Sequence, residues 1–196
     1  MDGPAGSGKS TVARAVAGSL GLPYLDTGAM YRSVAWAALR AGVDLRDAAA
    51  VAAVAAALDI DVGDTVCVDG IDVTDAIRNQ DVNTAVSIVS AHAEVRAELV
   101  KRQRDWAAGN GGSGVVEGRD IGSVVFPNAT VKVFLIADET VRAARRGEEA
   151  DIARRDRLDT RRAVSPLTKA EGAVEVDTTA TAVDDVVARV LALVPE

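Results

Sequence analysis

The sequence GPAGSGKS at residues 3–10 has the residue types and spacing that point most directly to chemistry. It fits the pattern G-x-x-x-x-G-K-[ST] at Gly3, Gly8, Lys9 and Ser10. Glycines in such a loop let backbone N–H groups turn toward phosphate oxygens, the lysine reaches the β- and γ-phosphates, and the serine hydroxyl can bind Mg²⁺. The amphipathic sequence behind the loop, TVARAVAGSLG, predicts a helix whose positive N-terminal end adds to the phosphate site. We therefore predict a nucleoside triphosphate site rather than a glycine-rich turn without a ligand.

A loop of this kind normally follows a buried β-strand, yet only Met1 and Asp2 precede Gly3. We expect a few residues of that central strand to be missing from the N-terminal side of the sequence. The alternative, a loop without its strand, would be difficult to stabilise.

The stretch LDTGAMYR, residues 25–32, places four polar side chains at a predicted strand end and in the first turns of a helix: Asp26, Thr27, Tyr31 and Arg32. Ligands collect at such strand ends in open parallel sheets, and an arginine there can bind a second phosphate through two hydrogen bonds. A capped helix with a solvent-facing arginine is the alternative for this stretch.

The stretch VVEGRDIGSVVFP, residues 115–127, brings Arg119 and Asp120 directly after an apolar strand. The two opposite charges could simply pair with each other. At a strand end beside a phosphate loop, however, they also offer one phosphate clamp and one carboxylate acceptor, and we favour this functional interpretation.

The stretch ARRDRLDTRR, residues 153–162, concentrates arginines in an acidic chain. At 100° per residue, Arg155, Asp159 and Arg162 lie on one helical face, which alternates in sign and suits a sugar together with a phosphate. A second face suits the transferred phosphoryl group and consists of Arg154, Arg157 and Arg161. A solvated helix with i,i+4 ion pairs is the alternative.

The composition limits the classes of protein that the chain can represent. Its 196 residues, 48% of them hydrophobic, predict one globular core. Cys67 and His92 are the only residues of their types, so an internal disulfide is excluded and a His/Cys metal site is not expected. We recognise neither a membrane-spanning apolar run nor a signal peptide and expect a cytoplasmic protein without membrane contact. The net charge of −7 argues against nucleic acid as a partner.

Short apolar runs alternate with helical segments, which predicts an α/β fold with about five strands in a parallel sheet flanked by helices. Strands are predicted up to Asp26 and at 115–118, 131–137 and 173–177, with small antiparallel strands inserted at 59–73. Helices are predicted at 29–42, from Asp44 or Asp47 to about 58, at 80–108 in two pieces broken near His92, and at 184–194. Residues 109–114, GNGGSG, predict a flexible connector.

Four stretches together resemble the bacterial cytidylate kinases of the nucleoside monophosphate kinase family: DGPAGSGKS, LDTGAMYR, EGRDIGSVVFP and RAVSPL (162–167). The resemblance spans nearly the whole chain. It implies a P-loop NTPase fold and transfer of the γ-phosphoryl group of ATP to CMP or dCMP, with Mg²⁺ at Ser10 and the nucleotide phosphates. The ATP-binding residues that it implies are Gly3, Pro4, Ala5, Gly6, Ser7, Gly8, Lys9, Ser10 and Thr11.

The resemblance also assigns acceptor-binding residues. It places Arg32 and Arg119 on the acceptor phosphate, and Tyr31 of the stretch LDTGAMYR is counted among the substrate-binding residues. Around the cytosine it places Thr27, Arg96, Asp120 and Arg162, and against the sugar Ser87, Arg155 and Asp159. Cytosine chemistry agrees, because its N4 donor requires a carboxylate or hydroxyl and its O2 and N3 acceptors require arginine. The implied catalytic residues are Lys9, Arg32, Arg119, Asp120, Arg155 and Arg162.

We expect a single kinase core over residues 1–196, with a monophosphate-binding insertion at about 43–108 and an arginine-rich helical lid at about 142–162. Only GEEA separates VRAARR from DIARRDRLD, so we expect part of the lid tip to be missing from the sequence. A monomer is the default oligomeric state. The alternatives are a UMP or AMP kinase, a nucleic-acid-stimulated P-loop ATPase, and a nucleotide-binding module without catalysis.

Overall fold

The computed structural model describes residues 1–146 and 167–195, and the chain divides into two compact units. The first unit comprises Met1–Tyr24 and Asn110–Glu196, and the second unit comprises Leu25–Gly109. The insertion predicted at about 43–108 lies within the second unit.

Helices and strands alternate along the described residues, as the sequence predicts. The α-helices are α1 (Lys9–Leu20), α2 (Thr27–Arg40), α3 (Ala48–Ala57), α4 (Gln80–Val89), α5 (Ala93–Gly109), α6 (Glu139–Arg146) and α7 (Val183–Leu191). The strands are β1 (Tyr24–Asp26), β2 (Ile60–Val62), β3 (Val66–Val68), β4 (Ile71–Asp72), β5 (Val115–Glu117), β6 (Val133–Ile136) and β7 (Val174–Asp177). A 3₁₀-helix at Ala76–Arg78 and a π-helix at Ile121–Val125 complete the description.

The parallel sheet of the first unit is continuous through residues 1–2. Strands β6 and β7 pair in parallel from Val133↔Val174 to Ile136↔Asp177. On the other side of β6, Asp2 N donates to Val133 O and Asp2 O accepts from Leu135 N, each over 2.8 Å. Met1 in turn bonds to β5, because its N donates to Val116 O at 2.8 Å and its O accepts from Gly118 N at 3.0 Å. Residues 1–2 therefore occupy the strand position that leads into the phosphate loop.

The first unit buries a valine-rich core between its sheet and two helices, α1 and α7. The buried residues are Val12, Val16, Val133, Leu135, Val176, Val186, Val187 and Val190. Helix α1 contributes one apolar face, and it ends at Gly21, which has the left-handed conformation common after helices. Because β-branched side chains suit strands and each buried valine contributes about 1.5–3 kcal/mol, this core holds the sheet under the phosphate loop.

The second unit combines four helices with a small antiparallel sheet, which confirms the strands predicted at 59–73. Strand β3 pairs with β2 from Ile60↔Val68 to Val62↔Val66, and with β4 at Cys67↔Asp72 and Val68↔Ile71. Asp69 and Gly70 join β3 to β4 with φ angles of 50° and 77°, the positive values that a two-residue hairpin turn requires. The inner face of the sheet packs with Ala29, Val73 and Ile77, and Trp36 lies against this cluster.

Capping explains where the helices begin. Helix α2 begins at Thr27, two residues before the predicted start, because the Asp26 carboxylate accepts a hydrogen bond from Ala29 N at 3.0 Å. Asp47 caps α3 in the same way through Ala50 N. Helices α4 and α5 are separated at residues 90–92, as predicted. Within 1–146 and 167–195, no helix has both the length and the apolar character needed to cross a bilayer.

Candidate active site

The phosphate loop begins at Gly3, where any side chain would force the loop or strand β6 to move. Gly3 has φ 150°, and a Cβ at this position would lie 2.2 Å from Leu135 O of β6. The loop ends at Gly8, which has φ 88° and directly precedes α1. These two glycines allow the chain to leave the sheet and turn immediately into a helix, so the N-terminal end of α1 faces the loop.

Two side chains of the phosphate loop donate hydrogen bonds to the backbone of the loop itself. Lys9 Nζ donates to Pro4 O at 2.7 Å, which holds the ammonium group beside the loop. Ser7 Oγ also donates to Pro4 O, at 3.0 Å, and Ser7 is fully buried. Ser10 and Thr11 are exposed in the first turn of α1. A hydroxyl oxygen is a ligand type that Mg²⁺ accepts, so Ser10 fits the predicted magnesium role.

Two arginines of α6 and a threonine behind the loop fix its carbonyl groups, and the sequence did not reveal this support. Arg142 is buried and donates to Ala5 O and to Ala137 O, each at 3.1 Å. Thr178 Oγ1 lies 3.0 Å from Ser7 O, and Arg145 donates to Thr178 O at 2.6 Å. Because the carbonyls are held from behind, the loop N–H groups keep a fixed direction.

Arg119 and Asp120 follow β5 at the edge of the sheet where the phosphate loop begins. The backbone pairing of Met1 with β5 is parallel, so Gly3 and Arg119 leave the sheet at the same edge. Asp120 is 5% exposed and lies at the N-terminal end of the π-helix. Glu117, at the end of β5, is buried and accepts a hydrogen bond from Tyr24 OH. The structure therefore brings the predicted arginine–aspartate pair and the phosphate loop to one edge.

In the second unit, α2 carries three predicted acceptor residues, of which Thr27 and Tyr31 are buried and Arg32 is half-buried. The buried Arg96 of α5 places its guanidinium carbon 5.6 Å from the centre of the Tyr31 ring, a cation–π distance. A Cβ on Gly28 would lie 3.0 Å from Asp26 Oδ1 and 3.2 Å from an Arg32 Nη atom. Glycine at 28 therefore leaves room for the Arg32 side chain beside Asp26.

Three further residues of the second unit belong in this description. The predicted Ser87 is buried on α4, a helix that packs against α2. Arg78, which the sequence did not indicate, lies 3.9 Å from the Asp26 carboxylate. Gln103 of α5 is 1% exposed, and both polar atoms of its amide are buried without a hydrogen-bond partner among the described residues. The sequence does not indicate that Gln103 is buried, apart from its position on the apolar face of α5.

The predictions for Arg155, Asp159 and Arg162 lie outside the described residues, as do those for Arg154, Arg157 and Arg161. Of the predicted lid at about 142–162, the structure describes only the end of α6.

Two exposed carboxylates mark the ends of β6 and β7. Hydrogen bonds from the hydroxyl and the N–H of Thr140 lower the pKa of Asp138. Hydrogen bonds from the hydroxyl and the N–H of Thr179 likewise lower the pKa of Asp177. Thr179 also accepts from Asp138 N at 2.9 Å, so one side chain joins the two strand ends next to Thr178.

The parallel sheet, the glycine-dependent loop that leads from it into α1, and the arginine–aspartate pair at the same edge define a P-loop NTPase fold of the kinase type.

Comparison with known proteins identifies the family. A family model described as cytidylate kinase matches residues 1–196. The cytidylate kinases of Geobacillus kaustophilus and Bacillus subtilis are 46% and 45% identical to the chain, over all of it and 95% of each relative. The cytidylate kinase of Streptomyces avermitilis is 46% identical over the whole chain and 91% of its own length. The chain belongs to the cytidylate kinase family. This membership confirms a phosphotransferase and does not favour the alternative functions.

Proposed function

We propose that the chain transfers the γ-phosphoryl group of ATP to CMP or dCMP, giving ADP and CDP or dCDP. The observation that carries the proposal is the phosphate loop at the same sheet edge as Arg119 and Asp120. A loop alone indicates triphosphate binding, whereas the arginine–aspartate pair adds groups for a phosphate and for a base donor. The names of the relatives support cytosine as that base.

On the donor side, backbone N–H groups of residues 3 and 5–11 bind the ATP phosphates, and Lys9 neutralises charge on the β- and γ-phosphates. Its three N–H donors allow the ammonium group to contact phosphate oxygens while it stays beside Pro4 O. Ser10 would hold Mg²⁺ through its hydroxyl. The ion, when bound, neutralises phosphate charge that the loop does not reach.

On the acceptor side, Arg32 and Arg119 bind the CMP phosphate, because guanidinium groups match phosphate oxygens in pairs. Asp120 and Thr27 accept hydrogen bonds from the cytosine N4 amino group. The predicted contacts to cytosine O2 and N3 come from Arg96 and Arg162, and those to the sugar from Ser87, Arg155 and Asp159. Tyr31 contributes through its ring, which lies against Arg96.

The proposal includes the remaining predictions for the molecule. The enzyme acts as a monomer in the cytoplasm, with small nucleotides rather than nucleic acid as its partners. It has a single kinase core with the monophosphate-binding insertion at about 43–108 and the lid at about 142–162. Arginines of the lid would meet the charge that develops on the transferred phosphoryl group and help to exclude water.

An acceptor panel tests this function. With ATP and Mg²⁺ held constant, kcat/KM is measured for CMP, dCMP, UMP, AMP and GMP on the wild type and on Asp120→Asn. We expect CMP or dCMP to exceed the other acceptors by about 10²-fold or more, since a site built to pair a base amino group strongly disfavours bases that lack it. Asp120→Asn should lose most of this preference. A flat panel, or AMP as the best acceptor, contradicts the proposal.

A further inference from the structure

Asp2 is a buried carboxylate with no assigned role, and both of its oxygens are engaged. The residue is 4% exposed. Its Oδ1 accepts a hydrogen bond from Ile121 N and its Oδ2 accepts one from Gly122 N, each over 2.7 Å. One aspartate on the strand before the phosphate loop thus binds the two consecutive residues that follow Asp120.

The backbone of Asp2 is as firmly held as its side chain. It is bonded to β6 through Val133 O and Leu135 N, and it is the residue immediately before Gly3. The carboxylate therefore projects from a residue that is hydrogen-bonded into the sheet through both its N–H and its C=O. Any group that it binds is fixed relative to the beginning of the phosphate loop.

The π-helix depends on this carboxylate for its cap. The first N–H groups of a helix have no partner inside the helix, and a side chain at the preceding position usually accepts from them. Here the preceding residue, Asp120, makes no side-chain cap hydrogen bond. Asp2 supplies both acceptors instead, and hydrogen bonds to an ionised carboxylate are stronger than bonds between neutral groups.

Gly122 shows how closely the carboxylate and the helix meet. A Cβ at this residue would lie 3.3 Å from Asp2 Oδ2, 3.1 Å from Lys132 Cδ and 3.3 Å from Ala170 Cβ. A methyl group here requires the π-helix, or the neighbouring Lys132, Ala170 and Asp2 side chains, to move by a few tenths of an ångström. The residue pair Asp2–Gly122 can therefore be perturbed from either end.

We propose that Asp2 is a positioning residue for acceptor selection, acting through the backbone of residues 121–122 on the orientation of Arg119 and Asp120. The inference rests on the proposed function, in which these two residues bind the CMP phosphate and the cytosine N4 amino group. Asp2 thus connects Arg119 and Asp120 to the strand that precedes the phosphate loop. It touches neither nucleotide.

The test uses Asp2→Asn and Gly122→Ala. An asparagine at position 2 keeps one acceptor oxygen but turns an N–H₂ group toward a backbone N–H. We expect its KM for CMP to rise and its CMP-to-UMP ratio of kcat/KM to narrow, each by about tenfold. Gly122→Ala should change both quantities in the same direction by about threefold. The dissociation constant of Mg-ATP, measured by calorimetric titration, should stay within about twofold for both variants.

Asp47→Asn is the matched control. Asp47 also accepts a hydrogen bond from a first-turn N–H, that of Ala50 at 3.0 Å, but it caps α3 in the second unit. This variant should leave the CMP-to-UMP ratio and the ATP affinity unchanged. An effect as large as that of Asp2→Asn would mean that any weakened helix cap reduces selectivity, and would overturn the proposal.

The outcomes separate the inference from the function on which it rests. If Asp120→Asn itself leaves the CMP-to-UMP ratio unchanged, the proposed reading of cytosine fails. Two results would show that the role of Asp2 in positioning is wrong even though Asp120→Asn narrows the CMP-to-UMP ratio. One is an Asp2→Asn variant that lowers kcat for both acceptors and leaves the ratio unchanged. The other is an Asp2→Asn variant whose loss of affinity for Mg-ATP is as large as its rise in KM for CMP. Should Asp2→Asn not fold, Gly122→Ala decides, and an unchanged ratio in that variant overturns the proposal.

Discussion

The two units prepare their candidate binding groups by different physical means. In the first unit the phosphate loop relies on backbone geometry. Gly3 lies close to the backbone of β6, and Arg142 and Thr178 donate hydrogen bonds to carbonyl groups of the loop. In the second unit the predicted acceptor groups are side chains on helices, such as Arg32 on α2 and Arg96 on α5. Phosphate is thus offered peptide N–H groups, whereas the acceptor nucleotide is offered arginines and hydroxyls.

This difference has a chemical reason. Every nucleoside triphosphate presents the same chain of phosphates, so a loop of peptide groups recognises it without reading the base. A monophosphate acceptor must be distinguished by its base, and only side chains differ enough in donors and acceptors to do so. We therefore expect changes in the phosphate loop to affect turnover and stability, and changes in the predicted acceptor side chains of α2 and α5 to affect KM for the acceptor.

The largest effect is expected at the loop lysine. Lys9→Ala removes the positive charge nearest to the predicted β- and γ-phosphates, so kcat should fall by about 10²–10³-fold. CMP binding, measured directly by calorimetric titration, should stay close to that of the wild type. A variant that turns over normally, or that loses CMP affinity as strongly as kcat, would contradict the division of roles between the phosphate loop and the acceptor side chains.

A smaller effect, confined to the acceptor, is expected on α5. Arg96→Lys keeps the charge but loses the planar group against Tyr31 and its paired donors, so KM for CMP should rise by about tenfold or more with the ATP dissociation constant unchanged. Arg102→Lys is the control on the same helix. Arg102 donates to Leu58 O at 2.6 Å and to Ala56 O at 3.1 Å at the end of α3. Its replacement should lower the melting temperature but leave KM for CMP unchanged.

The dependence of the phosphate loop on backbone geometry can be tested by replacing one glycine in each unit with alanine. Gly3→Ala places a methyl group 2.2 Å from Leu135 O, so we expect a loss of about 2–4 kcal/mol in the free energy of unfolding. Gly42→Ala, in the second unit, has φ 66° but no atom within 4 Å, so only backbone strain of about 1 kcal/mol is expected. Urea unfolding measures both. Equal losses of unfolding free energy in the two variants would mean that the close contact of Gly3 with Leu135 O does not contribute to the cost of the substitution.

The smallest effect concerns acid stability at the ends of β6 and β7. Hydrogen bonds hold the pKa of Asp138 and Asp177 below the ordinary value of 3.8 in the folded chain. A carboxylate whose folded pKa is lowered adds stability above its unfolded pKa, and this stability is lost as the pH falls through the folded pKa. The melting-temperature difference between wild type and the Asp138→Asn, Asp177→Asn double variant should therefore narrow below about pH 3.8. A melting-temperature difference that does not change with pH would show that the lowered pKa values of Asp138 and Asp177 do not contribute to stability.

The elements whose signals are local could be predicted from the sequence. The loop GPAGSGKS, the cap at Asp47 and the small antiparallel strands at 59–73 each depend on residues within a few positions of one another. The same holds for the apolar periodicity that gave α1 and for the alternation that gave the small sheet. The order of these elements predicted an α/β fold with a parallel sheet, and the resemblance to cytidylate kinases implied the P-loop NTPase fold.

Contacts between distant residues could not be predicted. The carboxylate of Asp2 binds backbone groups about 120 positions away, and Thr178 reaches Ser7 across the sheet, with 171 positions between them in sequence. The π-helix at Ile121–Val125 has no periodic signal, because five residues are too few to show one. The acceptor side chains of α2, α4 and α5 were identified by resemblance, since their spacing alone also fits an ordinary helical core.

The position of Trp36 has a practical consequence for observing the two units separately. The chain has two tryptophans, Trp36 on α2 and Trp106 on α5, and both belong to the second unit. Trp36 follows Arg32 by one helical turn and packs against the core of the small sheet, with the guanidinium carbon of Arg40 5.2 Å from its ring centre. Tryptophan emission therefore originates only from the second unit. A change of tryptophan emission on addition of CMP to the wild-type chain would therefore report on the second unit without a label, because the phosphate loop contains no tryptophan.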